Sequence, residues 1–404
     1  MVKSKTMSNC HICNSPLPSP ILDFGAMPLA NTLLSNPNEE YTQYHAAWSW
    51  CDECELLQLI DVPDADVVFT SEYPYRTDQS RFMTEHFKKT AGYLMERVAP
   101  ENVLEIGVNT GGILEWIPND IGRFGYETSL DCTQILAEKG IACMTLPFKR
   151  GTTLPYQHGL YDLVYSANTL RSLKNIGEIF ETVKTVLSKR GVFVIEEPAL
   201  PFILERNEWD QFYSENVFAF SITSMSKLAH RCGLELVDVD LLPENHGGSM
   251  RWHIAHPNTY VPEPDVELIA ERLEESEMPI ELKKFNHAIR KTRDDFVRAL
   301  QEEKDSGREV IAYGASAKSV TALNYCGINA GLIAKVFDST PSKIGKYLPG
   351  TGIQIVDAGL FRNEPKDKLV TLLPYNVARE IIEKEDPNRE RRWLLYHPGV
   401  HYFQ

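Results

Sequence analysis

Two pairs of cysteines, Cys10-x-x-Cys13 and Cys51-x-x-Cys54, carry the plainest chemistry in this chain. Each pair is a knuckle that can turn two thiolates toward one ion, and two knuckles together fill a tetrahedral zinc site. With sulfur at every position no coordination site stays open, so the metal is expected to hold the fold and not to act on a substrate. His11 lies inside the first knuckle, but four thiolates need no substitute. The other cysteines, Cys132, Cys143, Cys232 and Cys326, are scattered and read as small buried hydrophobes.

A second signature runs from Val103 to Gly112, VLEIGVNTGG. An apolar strand with an acid, Glu105, near its end turns through Gly107 and Gly111, where backbone can approach a ligand as a side chain would not allow. The spacing is E-x-G-x-N-x-G instead of the dinucleotide pattern G-x-G-x-x-G. Glu127 follows in GYETS, at the end of the next strand, where a carboxylate can accept ribose hydroxyls of an adenosine-type ligand. Glu105, Gly107, Asn109, Thr110, Gly111 and Glu127 together favour S-adenosylmethionine over NAD as the ligand.

These residues need elements to position them. Residues 1–80 are rich in Cys, Pro and aromatics and poor in helical periodicity, as in a small domain organised by a metal. From Arg81, RFMTEHFKKTAGYLMERV has apolar residues at helical spacing. The β-rich runs NVLEIGV, GRFGYE, IACMTL, YDLVYSA and GVFVIEE then alternate with helical stretches, the pattern of a parallel sheet covered on both faces. This Rossmann-like domain is expected over 81–258. A charged two-helix connector over 259–308 follows, and a second, smaller βα series over 309–404 completes an α/β chain.

The 404 residues exceed one ordinary core, and 43% hydrophobic with 24% charged residues predicts folding throughout. A net charge of −15 opposes nonspecific attraction to nucleic acid or an anionic membrane. No apolar run reaches the ~18 residues of a membrane span, and the N-terminus lacks a secretory core, so a cytoplasmic protein is expected.

The motifs carry a family likeness. The chain resembles the TDP-sugar C-methyltransferases of deoxysugar biosynthesis in its cysteine knuckles, the donor loop, YPYRTDQS at 73–80, SANTL at 166–170 and DQFYSENVFAFS at 210–221. The likeness continues in HGGSMR at 246–251, YGASAKSVTALNYCGI at 313–328, DSTPSKIGKYLPGT at 338–351 and the terminal RRWLLYHPGVH. It implies a zinc-binding domain, a class I donor domain and a Rossmann-like C-terminal domain, with a TDP-type sugar nucleotide in the cleft and Asn168 joining the donor-binding set. A monomer or weak dimer is expected. The implied reaction is methyl transfer to a sugar carbon beside a ketone, which requires a base, a stabiliser of the enolate oxygen and in-line placement of the methyl group.

The family pattern around DQFYSENVFAFS reads Y-x-E-H, with His as the base; this chain has Asn216, which takes no proton at neutral pH. A second family His is replaced by Ser172, and Thr110 stands where Asp is common. Tyr213, Glu215 and His246 are the candidates for proton transfer, with Tyr73 or Tyr75 positioning the ketone or its enolate. Asn216, Ser249, Arg251 and Lys318 are candidates for substrate binding, Arg251 by forking onto a diphosphate and Lys318 beside a helix N-terminus. The bland alternatives are a core tyrosine at 213, an ion-paired Glu215 and a surface salt bridge at Arg251. Three readings stay open: a relocated base, O- or N-methylation or epimerase-like proton chemistry, and a noncatalytic binder of donor and sugar nucleotide.

Overall fold

A computed structural model describes residues 8–68, 76–152, 160–245, 247–263, 265–273 and 275–403. Three sheets organise them. The first is an antiparallel meander of β1 (Leu22–Pro28), β2 (Gln43–Cys51) and β3 (Leu56–Leu59). Its second strand buries Ala46 through Cys51 without interruption, so one face is not left to water.

The helix Arg81–Val98 starts where expected, because the Ser80 side chain accepts from the Met83 amide and caps it. It buries Met83, Phe87, Ala91 and Leu94, a three-to-four spacing that forms one stripe. That stripe covers the central sheet. The five parallel strands are β4 (Asn102–Ile106), β5 (Gly122–Glu127), β6 (Cys143–Thr145), β7 (Tyr161–Ala167) and β8 (Leu187–Pro198). A two-residue strand, β9 (Phe218–Ala219), leaves this region and pairs with β3, so a segment beyond residue 200 closes the N-terminal sheet. β10 (Glu235–Leu242) and β11 (Ser249–Ala255) return to the central sheet, whose order is β10-β11-β8-β7-β4-β5-β6 with β11 antiparallel to both neighbours. Strand order reverses between β4 and β7, which opens a crevice at their carboxyl ends.

The expected connector contains the helices Asp265–Arg272 and Met278–Asp305. The longer one buries Leu282, Phe285, Ile289, Phe296 and Leu300 in a core that also holds Leu22 and Trp48 of the first sheet and Trp209 of the central region. The last sheet consists of β12 (Val310–Tyr313), β13 (Lys335–Asp338), β14 (Gln354–Asp357), β15 (Leu369–Leu372), β16 (Arg392–Leu395) and β17 (His401–Phe403). Its order is β14-β13-β12-β15-β16-β17, parallel except at β17, and a second crevice opens between β12 and β15. No helix among the described residues is long and apolar enough to cross a membrane.

Candidate active site

The four knuckle cysteines converge. Cys13 Sγ lies 3.6 Å from Cys51 Sγ, Cys10 Sγ lies 3.9 Å from Cys54 Sγ, and all four sulfurs fall within 4.8 Å of one another. Zinc–sulfur bonds of about 2.3 Å in a tetrahedron require sulfur separations of roughly 3.8 Å, so the residues fit the ion. The cysteines are free of disulfides. Amides of Ile12 and Cys13 and the Gln58 side chain point at Cys10 Sγ, which stabilises a thiolate there. His11 uses its Nε2 on the Leu59 carbonyl and stands outside the ligand set.

At the β4/β7 crevice lies a cavity of about 600 Å³. Gly107, at φ +78°, forms its floor, and a Cβ there would sit 2.3 Å from Thr169 Oγ1. Beneath the loop, the buried Glu105 carboxylate accepts from the amides of Ile113 and Leu114. Burial pushes its carboxyl well above the usual range, against the pull of those two amides. Its role is to pin the loop from inside. Asn109, at φ +54°, donates its amide to Glu127 and accepts from the Thr77 amide, while Thr110 Oγ1 accepts from the Asp78 amide. The donor loop is thus tied to the start of the capped helix.

Glu105, Gly107, Asn109, Glu127 and Asn168 all line the cavity; Thr110 and Gly111 do not. Thr110 is buried behind the loop, and a Cβ on Gly111 would meet the Glu115 side chain. Glu127 already accepts from the amides of Asn109, Thr128 and Ser129, which use three of its roughly four lone-pair positions and leave about one for a ligand hydroxyl. The sequence reading missed the apolar walls Leu146, Phe148 and Leu173, which suit a flat ring beside a carboxylate. The donor set therefore fits an adenosine-bearing cofactor.

The substrate-side candidates divide. Tyr73, Tyr75 and His246 lie outside the described residues. Asn216 and Ser172, where the resemblance leads one to expect two histidines, are neighbours: Ser172 Oγ donates to Asn216 Oδ1 at 3.4 Å. Asn216 also donates to the Gln211 carbonyl at 2.8 Å, so it works as a loop brace. Glu215 is buried and accepts from the Asn31 amide at 2.9 Å and its side chain at 2.5 Å. Burial, opposed by these bonds, pushes its carboxyl up to about 7.

Arg251 does not reach this group. Its buried guanidinium is spent on Glu196, Asp240 and Thr90, which corrects the expectation that it forks onto a diphosphate. Ser249 is buried and donates to the Asn245 carbonyl, so its hydroxyl is likewise internal. Glu196 also takes His86 and Asn245; burial raises its carboxyl, but His86 and then Arg251 outweigh that and hold it low. Asp238, Asp240 and His253 also approach one another, but Arg97 and Arg251 already supply their positive charge.

Residues that the sequence reading did not single out, together with Tyr213 and Lys318, join the two crevices. Arg171, leaving β7, donates to Gln211 Oε1 and to Tyr213 Oη at 3.2 Å. Behind it Glu197 accepts from the amides of Thr169 and Arg171, and burial pushes its carboxyl up to about 7. Gln211 donates to Glu208, Glu208 lies 3.7 Å from Lys318 Nζ, and Lys318 donates to Tyr375 Oη at 3.2 Å. Tyr375 and Tyr396 both donate to the fully buried Asp210, with His397 at 3.4 Å. Burial raises the Asp210 carboxyl, but the charges of nearby His397 and Lys318 and the Tyr396 hydrogen bond hold it low. The only local signal was an unusual density of acids and amides among the aromatics of EWDQFYSEN.

Fold and site define an S-adenosylmethionine-dependent methyltransferase with a structural zinc site. Family models match in order along the chain: a zinc binding domain over 10–69, a methyltransferase domain over 75–239 and a C-methyltransferase C-terminal domain over 244–398. The C-methyltransferase NovU of Streptomyces niveus is 28% identical over 392 residues, covering 94% of this chain and 93% of NovU. All three domains are thus matched in this chain, in that order. Among solved structures, the N-methyltransferase NodS of Bradyrhizobium japonicum in complex with S-adenosyl-L-homocysteine matches 46% of this chain and 92% of its own at 16% identity and a TM-score of 0.36. A methyltransferase from Clostridium acetobutylicum matches 42% and 92% at 12% identity and 0.34. At these scores the overlap is loose.

Proposed function

We propose that the protein methylates a carbon beside the ketone of a nucleotide-linked, TDP-type deoxysugar. The observation that carries this reading is the unbroken polar chain from Thr169 at the donor cavity through Glu197, Arg171, Gln211 and Glu208 to Lys318 at the second crevice, with Tyr213 branching from it at Arg171. A substrate whose sugar lies near the donor and whose nucleotide reaches the C-terminal crevice would lie along it.

The cofactor, when bound, supplies an electrophilic methyl group on a sulfonium. The residues of this chain prepare the acceptor for it. Glu215, with its carboxyl near neutrality, takes the acidified proton from the sugar carbon, and the carbon–hydrogen pair delocalises onto the ketone oxygen. Tyr213 donates a hydrogen bond to that oxygen as its charge grows. Asn31 fixes Glu215 through two hydrogen bonds, and the carboxylate keeps lone pairs for the incoming proton. A base of this kind makes the rate rise with pH through about 7, and Glu215→Gln removes that limb.

The test separates carbon chemistry from its rivals. The enzyme with S-adenosylhomocysteine and a panel of TDP-keto-sugars in deuterated water is expected to exchange the proton beside the ketone. Methyl transfer from S-adenosylmethionine without any such exchange would favour O- or N-methylation instead. Neither exchange nor turnover on any panel member would leave only a binding protein.

A further inference from the structure

We infer that Arg171 is a positioning residue for the reaction: by occupying a lone pair of the Tyr213 hydroxyl, it directs the Tyr213 proton toward the acceptor's ketone oxygen. The inference rests on the carbon-methylation reading above and adds a residue to it.

A guanidinium has donors and no acceptor, and a phenol has one proton and two lone pairs. The contact of 3.2 Å between Arg171 Nη2 and Tyr213 Oη therefore runs in one direction only, with the tyrosine oxygen accepting. Among the described residues no acceptor takes the Tyr213 proton, so that proton is left for a ligand. A fixed positive charge behind the oxygen also favours the phenol as a donor to a developing oxyanion.

Arg171 is itself held. It is 8% exposed, at the end of the segment that lines the donor cavity through Asn168 and Thr169. Its own amide donates to Glu197, whose other oxygen is buried without a hydrogen-bond partner and lies 3.9 Å from the guanidinium. Gln211 takes the remaining contacts of the fork. A charged side chain this buried, held by Gln211 and Glu197 and pointed at the Tyr213 hydroxyl, costs desolvation that a purely packing role does not explain. Asn216 and Ser172 lie on the same two segments and are turned toward each other, so neither competes for the tyrosine.

The experiment compares Arg171→Met, Arg171→Lys and Tyr213→Phe. Arg171→Met is expected to lower kcat for methyl transfer about 100-fold, the loss typical of an oxyanion donor, with KM for both substrates changed less than about threefold. Arg171→Lys, which keeps one donor, regains part of it. The double variant Arg171→Met/Tyr213→Phe falls no further than the worse single one. A rise in KM at constant kcat, or multiplying losses, overturns the inference. An independent reading uses the 13Cζ resonance of Tyr213, assigned by its loss in Tyr213→Phe. It is expected to shift in Arg171→Met and to return toward wild type in Arg171→Lys. An unmoved resonance overturns the inference whichever atom is methylated, whereas a methyl found on oxygen or nitrogen overturns the reading beneath it.

Discussion

Glu197 shows how a single buried carboxyl sets a pH dependence. Its folded value near 7 lies above the unfolded value of about 4.3, so its contribution to stability is complete below the unfolded value and is lost as pH rises through about 7. The loss is on the order of 3 kcal/mol for a group this buried. Glu197→Gln keeps an oxygen for the Thr169 and Arg171 amides and carries no charge, so its stability relative to wild type should climb between about pH 5 and pH 8. Thermal melts across that range check it, and parallel curves for the two proteins would refute it. Glu197 was not legible beforehand. Nothing in VFVIEEP distinguishes a functional acid from a strand end, and its neighbours Thr169 and Arg171 lie far away in sequence.

At the scale of elements, the donor loop was readable because its parts are local. A strand, a glycine turn and an acid at the end of the next strand sit within 25 residues, and β4, Gly107 and Glu127 meet at the cavity. Gly107→Ala places a methyl group 2.3 Å from Thr169 Oγ1 at φ +78° and is expected to weaken S-adenosylhomocysteine binding at least tenfold. Gly140 has a similar φ of +69° with open space around it. Gly140→Ala should cost about 1 kcal/mol of stability and leave affinity unchanged. Calorimetric titration of both separates a pocket effect from a backbone effect; equal affinities would mean that the loop does not touch the donor. β9 was not readable, since two residues have no period, and the closure of the first sheet by Phe218 and Ala219 depends wholly on tertiary pairing. Arg251 misled for the same reason. Its motif resembled a ligand loop, but strand pairing turned it onto Glu196.

Across the whole molecule, the zinc domain, the donor domain and the C-terminal sheet share one continuous apolar core, and Asp210 fastens the last two through Tyr375, Tyr396 and His397. Asp210→Ala strands these buried polar groups and should lower stability by about 3 kcal/mol or more, read from denaturant unfolding. A change below about 1 kcal/mol would show that the apolar core alone holds the two together. Cys51→Ser is expected to release about one zinc per chain and to lower folded yield, since binding energy at such a site is folding energy. Full zinc retention by that variant would place the ion elsewhere. The three-part layout was legible from the cysteine spacing and the two βα series. The path between the crevices was not, because its links come from segments that only the finished fold brings together.

The central claim is that the methyl group ends on carbon. The enzyme supplied with S-adenosylmethionine carrying a 13C-methyl group and a TDP-keto-deoxysugar should give a product whose labelled methyl shows one-bond coupling to a sugar carbon. A labelled methyl bonded to oxygen or nitrogen would contradict the account.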